Sequence, residues 1–300
     1  MRRLLILALA AIGVTLPGCD TTFEVELPDE EPRLTVEALF GTDTLLTLQV
    51  RRSSGALTPP SIDNVTTATV EVYEDGTLAG TAAYVERRQR YVSDVRPRPG
   101  RTYQLRASAP GFPDAVAEET VPEPVPFEIV AVERGPEPTG GRDREDRFTI
   151  RFEDPPGDDY YALYGLRERS YPGGEGNDQV FPLGFRSASP ALADGGFDGL
   201  LGETDDPFYL RAFFRDTPFS GGAVEIEIEV GRLDDDVDYT RITERLRLAR
   251  LSETYYRYAR ALTSDSQAGP FGDVRRVPSN VEGGYGIFAG FAATERVLPN

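Results

Sequence analysis

From residue 34 onwards, apolar side chains stand at every second position over several short segments. Residues 34–40 and 46–50 each place three or four apolar side chains on one face. This period of two is typical of a β-strand with one buried face. Five further segments follow before residue 121, and turns such as Asp75-Gly76 separate them. Residues 34–121 are therefore predicted to form about seven strands in an immunoglobulin-like or fibronectin-like β-sandwich.

A proline-rich segment divides this first region from the rest of the chain. Residues 122–126 (PEPVP) carry prolines at alternate positions, which favour an extended and stiff connection. Residues 127–300 again show short alternating segments with loops rich in Gly, Asp and Pro between them. The prediction is all-β: a sandwich, a linker, and a larger β-rich domain of sandwich or barrel type.

Two alternating segments and one helix stand out in this second region. Residues 223–230 place apolar side chains against glutamates, and residues 242–251 place leucines against arginines. This charge pattern suggests that the two strands are neighbours with cross-strand ion pairs. Residues 252–262 are predicted to form a helix, because Ser252 is a suitable N-cap and Tyr255, Ala259 and Leu262 share one face. A closing strand is predicted over residues 284–292.

The N-terminus has the layout of an export signal. Met1-Arg2-Arg3 is positively charged, residues 4–16 are almost continuously apolar, and Leu16-Pro17-Gly18-Cys19 follows. The apolar run is too short for a permanent membrane span. Residues 1–18 are therefore predicted to be a lipoprotein signal peptide, with Cys19 as the lipidated residue that holds the chain to a bilayer. Residues 19–33 are acidic and contain two prolines, which predicts a tether.

The composition excludes several classes of chemistry. The chain has a formal net charge of −18, so nucleic acid is not an expected partner. It contains no His and no Lys, and Cys19 is its one cysteine. Catalytic triads with histidine, Schiff-base lysines, phosphate-binding loops with lysine and imidazole metal sites are therefore absent. We predict that the protein is not an enzyme and has no catalytic residues.

Acidic loops are the remaining candidates for chemistry. Asp234, Asp236 and Asp238 match the first three ligand positions of a calcium loop, but the glycine and glutamate that should follow are missing. They stay candidates for a looser Ca²⁺ site, as does the Asp-rich stretch 194–206, and no cofactor is predicted. The neighbours Asp158 and Asp159 resemble a hydrolase carboxylate pair only superficially, since glycoside hydrolysis needs two carboxyl groups on opposite sides of a cleft.

The C-terminal block carries a resemblance. Residues 255–258 (YYRY), 269–271 (GPF) and 277–288 (VPSNVEGGYGIF) resemble the closing signature of the domain-of-unknown-function 4249 family, lipoproteins of Bacteroidota. The early strand at 32–37, the PGRTY stretch at 99–103 and the run at 152–161 (FEDPPGDDYY) are similar too. The resemblance implies an outer-membrane lipoprotein, often associated with TonB-dependent receptors, and it implies no catalytic residue.

Three functional hypotheses follow. The first is a non-enzymatic accessory or binding protein of the outer membrane that partners a TonB-dependent receptor in nutrient uptake. Whether it faces the periplasm or the cell surface stays open, as does its oligomeric state. The alternatives are a stand-alone binder of a glycan, peptide or cation, and a hydrolase that uses carboxylates alone. One loop is a candidate for partner contact or for a structural role, through Pro278, Ser279, Asn280, Glu282, Gly283 and Gly284.

Overall fold

The structure is a computed structural model, and it describes most of the chain after residue 30. The described residues are 31–54, 63–136, 144–170, 179–195, 211–219, 221–232, 241–265 and 277–299. Cys19 and the candidate ligands Asp234, Asp236 and Asp238 lie outside these ranges, as do residues 196–206 of the second acidic stretch.

Strands dominate the described part of the chain. The eight strands of its first half are β1 (Leu34–Gly41), β2 (Thr47–Arg52), β3 (Thr69–Glu74), β4 (Thr77–Val85), β5 (Arg90–Ser93), β6 (Thr102–Ser108), β7 (Ala115–Thr120) and β8 (Phe127–Glu133). The second half adds β9 (Arg144–Asp154), β10 (Tyr160–Ser170), β11 (Gln179–Leu183), β12 (Phe185–Arg186), β13 (Arg211–Arg215), β14 (Gly222–Arg232), β15 (Arg241–Leu251) and β16 (Tyr285–Val297). Helix α1 (Glu253–Asp265) lies between β15 and β16, and 3₁₀ turns occupy Glu86–Arg88 and Pro190–Gly195.

A twelve-stranded sheet includes strands from both ends of the sequence. Its order is β11-β10-β15-β16-β1-β2-β5-β4-β3-β6-β7, and β13 also pairs with β10. The first strand, β1, lies between β2 and the last strand, β16, and the pairing of β1 with β16 is parallel. The two ends of the described chain therefore meet in the middle of the sheet.

A second sheet has four strands in the order β12-β14-β9-β8. It covers one face of the part of the large sheet whose strands, such as β10 and β15, come from the second half of the chain. The residues buried between the two sheets include Phe148, Ile150 and Ile226 from the smaller sheet and Leu163 and Leu248 from the larger. These side chains stand at alternate positions of their strands, so each strand contributes one face to this core. The arrangement is sandwich-like, and the predicted all-β class is confirmed.

The first half of the chain forms a second core, and the last strand contributes to it. Leu34, Val36 and Tyr103 are fully buried there, together with Phe288 of β16. The rings of Phe40 and Phe288 lie 4.5 Å apart. The division at residues 122–126 stays a prediction, because the large sheet and this core both combine residues from the two sides of that segment.

Helix α1 packs on the other face of the large sheet. Tyr255 and Ala259 are buried there among residues such as Ala162, Phe213 and Ile287. The hydroxyl of Ser252 accepts a hydrogen bond from the backbone N–H of Tyr255 at 3.2 Å, which is the predicted N-cap. No helix within the described ranges has the length and apolar character needed to cross a membrane.

The predicted neighbour of the acidic strand was wrong. The glutamates of β14 pair with arginines of β9, since Glu225 lies opposite Arg151 and Glu229 lies opposite Arg147. The arginine-rich strand β15 lies in the other sheet, between β10 and β16. Exposed ion pairs contribute little free energy to strand pairing. Burial of the apolar faces therefore determines which strand lies beside β14.

Candidate functional site

Three buried aspartates meet at one end of the second half of the molecule. Asp154 is the last residue of β9, Asp159 directly precedes β10, and Asp216 directly follows β13. Each offers a carboxylate oxygen, and these oxygens all lie within 4.8 Å of one another. The three residues are 4–5 % exposed, so the carboxylates are almost fully removed from water.

The local backbone explains why these residues meet. The chain leaves β9 at Asp154 and turns through Pro155, Pro156 and Gly157, whose φ of 132° favours glycine. Strand β13 then pairs antiparallel with the start of β10, with Arg215 opposite Tyr160. The backbone N–H of Asp216 donates to the carbonyl of Asp159 at 3.0 Å, which extends this pairing by one residue and fixes the two aspartates side by side.

Hydrogen bonds satisfy part of this cluster. The hydroxyl of Tyr161 donates to Oδ1 of Asp154 at 2.5 Å, and the backbone N–H of Gly221 donates to Oδ2 at 2.6 Å. The guanidinium of Arg250 in β15 donates to Oδ1 of Asp159 at 2.6 Å. Oδ2 of Asp159 and Oδ2 of Asp216 are buried, and no hydrogen-bond donor in the described part of the chain reaches either oxygen.

The surroundings raise the pKa of two of the three aspartates and of the neighbouring Tyr161. Burial raises the pKa of Asp159; Arg250 opposes this effect, and Asp154 and Asp158 reinforce it. Burial also raises the pKa of Asp216, and the neighbouring aspartates add to the shift. The pKa of Tyr161 is raised as well, by burial and by its bond to Asp154. The cluster thus concentrates negative charge where water cannot screen it.

This geometry suits the binding of an ion better than catalysis. The carboxylates are buried and close together, so they do not stand on opposite sides of a cleft, as a glycoside hydrolase requires. Carboxylate oxygens are ligands for hard cations such as Ca²⁺ and Mg²⁺. Asp154, Asp159 and Asp216 are the residues in the described part of the chain that are placed to hold one.

Sequence reasoning missed this cluster. It singled out Asp158 and Asp159 as neighbours, but Asp158 is exposed and Asp159 is buried beside Asp154 and Asp216. The turn Asp154–Asp158 was visible in the sequence, whereas Asp216 is far along the chain and joins the turn only because β13 pairs with β10. The spacing of these aspartates along the sequence therefore does not predict that they come together.

The loop at residues 278–284 makes contacts within the protein. The side-chain amide of Asn280 donates to the carbonyl of Phe288 at 2.7 Å, and its oxygen accepts from the backbone N–H of Phe288 at 2.9 Å. Glu282 forms a backbone bridge with Val116 of β7. A Cβ on Gly283 would meet the carbonyl of Asp114 at 2.1 Å. These contacts favour the structural role, and a contact of this loop with a partner stays a prediction.

Comparison with known proteins gives a family and no activity. Residues 20–296 match the family described as a domain of unknown function, DUF4249. The chain belongs to this family. No curated protein matches the sequence. A solved structure from Corynebacterium diphtheriae, described as a membrane-anchored protein, is similar at 11% identity and a TM-score of 0.21; the match covers 75% of this chain and 55% of that one. The chain thus spans little more than half of that protein, and at this TM-score we draw nothing from the similarity.

Proposed function

We propose that this member of the DUF4249 family is a lipid-anchored, non-enzymatic accessory protein of a bacterial outer membrane, which partners a TonB-dependent receptor in nutrient uptake. The proposal rests first on the single cysteine of the chain. Cys19 directly follows an apolar segment and the small-residue exit Leu16-Pro17-Gly18. Each buried CH₂ of an acyl chain contributes about 0.8 kcal/mol to membrane binding, and several chains on one cysteine anchor a protein firmly.

The position of β1 supports such an anchor. A tether that begins at Cys19 enters the fold at Leu34, the first residue of β1. This strand is hydrogen-bonded on both sides, to β2 and to β16, and Leu34 and Val36 are fully buried. A force applied through the tether therefore acts on an internal strand of the large sheet, which is harder to detach than an edge strand.

The buried carboxylates support a role without catalysis. The chain has no His and no Lys, so an enzyme would depend on carboxylates, tyrosines or arginines. Asp154, Asp159 and Asp216 are inaccessible to a large substrate, and Arg250 holds Asp159 in an ion pair. Tyr161 and Tyr255 are buried in the two cores of the second half of the chain. Their side chains support the fold.

Affinity capture from membranes tests the proposed partnership. The tagged full-length protein is expressed in its host, the membranes are solubilised in a mild detergent, and captured proteins are identified by mass spectrometry. We expect recovery of a TonB-dependent receptor with the wild type, and a much lower yield with Cys19→Ser, which removes the proposed site of lipidation. Membrane-bound protein that recovers no receptor would overturn the partnership and favour the stand-alone binding protein.

A further inference from the structure

We propose that Asp154, Asp159 and Asp216 bind a calcium ion. This site differs in every residue from the calcium candidates in the acidic loops, and it does not depend on the proposed membrane role. It joins the end of β9 to the start of β10 and the end of β13, and Arg250 connects it to β15. An ion at this position would bind four strands together at one end of the molecule.

The first argument is the unsatisfied oxygens. Oδ2 of Asp159 and Oδ2 of Asp216 are buried, and no group within the described ranges donates to them. Buried polar atoms in folded proteins nearly always have a partner, because the loss of water is otherwise uncompensated. These two oxygens belong to residues that are 4–5 % exposed and lie in a cluster with a third carboxylate. A bound cation supplies the missing partner to both.

The second argument is the charge balance. Both oxygens of Asp154 accept hydrogen bonds, from Tyr161 and from Gly221, and Asp159 accepts from the guanidinium of Arg250. Three carboxyl groups therefore share one guanidinium in a buried place. A divalent cation bound between them would offset the two negative charges that this guanidinium leaves when all three are ionised.

The third argument concerns the kind of ion. The chain has no His and no second Cys, so the donors at this site are oxygens, which suit Ca²⁺ and Mg²⁺. The three oxygens lie within 4.8 Å of one another, so one cation can contact all of them. Calcium accepts irregular geometry, whereas Mg²⁺ demands a nearly ideal octahedron. Carboxylates whose positions are set by Tyr161 and Arg250 therefore suit calcium better.

Two measurements on the full-length protein test this site. After treatment with EDTA and dialysis, the protein is titrated with CaCl₂ and its thermal unfolding is followed. We expect Tm to rise by about 5 °C at a concentration well above the Kd, because the ion binds only the folded state. Terbium, a luminescent ion that binds at calcium sites, is then added to the calcium-free protein. Its luminescence is excited by energy transfer from nearby tyrosines. Tyr161 lies beside the site, and the chain contains no Trp.

Asp216→Asn and Asp158→Asn are the matched variants. Asp158 is a neighbour of Asp159 on the same turn, but it is exposed and lies outside the cluster. We expect Asp216→Asn to bind terbium and calcium at least about tenfold more weakly, and Asp158→Asn to bind both like the wild type.

Several outcomes would overturn the assignment. An unchanged Tm with calcium and no terbium signal in the wild type would show that the unpartnered oxygens carry protons, and this result does not depend on whether Asp216→Asn folds. Equal loss of binding in Asp158→Asn would place the ion elsewhere. An equal rise in Tm with Mg²⁺ at the same concentration would overturn calcium as the ion.

Discussion

At the scale of single residues, buried tyrosines combine a packed ring with a bonded hydroxyl. Tyr103 is fully buried, and its hydroxyl donates to Glu74 at 2.7 Å. Tyr91 donates to the carbonyl of Val65, and Tyr161 donates to Asp154. Each ring adds apolar contact area, and each hydroxyl avoids the cost of an unsatisfied polar group. The sequence alone did not indicate these partners.

Glu74 gives a pH dependence with a definite sign. Arg98 and Tyr103 donate to its carboxylate, and these bonds hold the pKa of Glu74 below its ordinary value. A carboxyl group whose pKa is lowered by folding stabilises the folded state above its ordinary pKa, and this contribution is lost as pH falls through the lowered value. We expect Glu74→Gln to reduce the free energy of unfolding by about 1 kcal/mol at pH 7, a small value because Arg98 is largely exposed.

Urea unfolding at pH 7 and at pH 3.5 measures this effect. The difference between wild type and Glu74→Gln should shrink at the lower pH. Glu86→Gln is the matched control, because Glu86 lies on the exposed 3₁₀ turn after β4. A difference that is equal at both pH values, or one that Glu86→Gln reproduces, would contradict the role of the Glu74 bonds.

At the scale of elements, alternation and turn residues predicted the strands well. Asp75 and Gly76 both adopt positive φ in the turn between β3 and β4, which their residue types favour. The predicted helix begins where Ser252 caps it. Pairing between strands distant in sequence was less predictable. The glutamates of β14 indicated an arginine-rich neighbour, but two strands of the chain fit that description and the charges did not distinguish them.

The closing strand β16 shows why the pattern of one strand can mislead. The sequence predicted a closing strand over residues 284–292, but it did not indicate that both faces of this strand are buried. Ile287 and Ala289 pack under helix α1, and Phe288 packs in the core of the first half. Gly286 sits opposite Val36 of β1 with a φ of 112°, and a Cβ there would meet the Val36 carbonyl oxygen at 1.9 Å. The close approach of β1 and β16 therefore requires a glycine at this position.

Gly286→Ala tests the contact between the first and last strands. The added methyl group would collide with backbone, and alanine is strained at this φ, so we expect a loss of about 2–4 kcal/mol in the free energy of unfolding. Gly231→Ala is the control, since it is also a strand glycine but a Cβ there meets nothing within 4 Å. Urea unfolding midpoints compare the two variants. Equal midpoints would contradict the tight approach of β1 and β16, whereas failure of Gly286→Ala alone to fold would agree with it.

At the scale of the whole molecule, the large sheet joins strands from both sides of the predicted linker at residues 122–126. Arg247 of β15 donates to Asp43, which follows β1, and also to Glu295 of β16. The hydroxyl of Thr294 in β16 donates to the carbonyl of Val125 in the proline-rich segment. The segment at 122–126 is identifiable from its prolines, but the return of the last strand to the first is a long-range contact that local patterns do not contain.

The anchor at Cys19 is the central claim of this account, because the membrane location and the partnership both depend on it. Labelling of growing cells with a clickable palmitate analogue tests it directly, with Cys19→Ser as the control. The account predicts label on the wild type in the membrane fraction, and no label on Cys19→Ser, which should leave that fraction. Label that persists on Cys19→Ser, or a wild type that carries none, would contradict it.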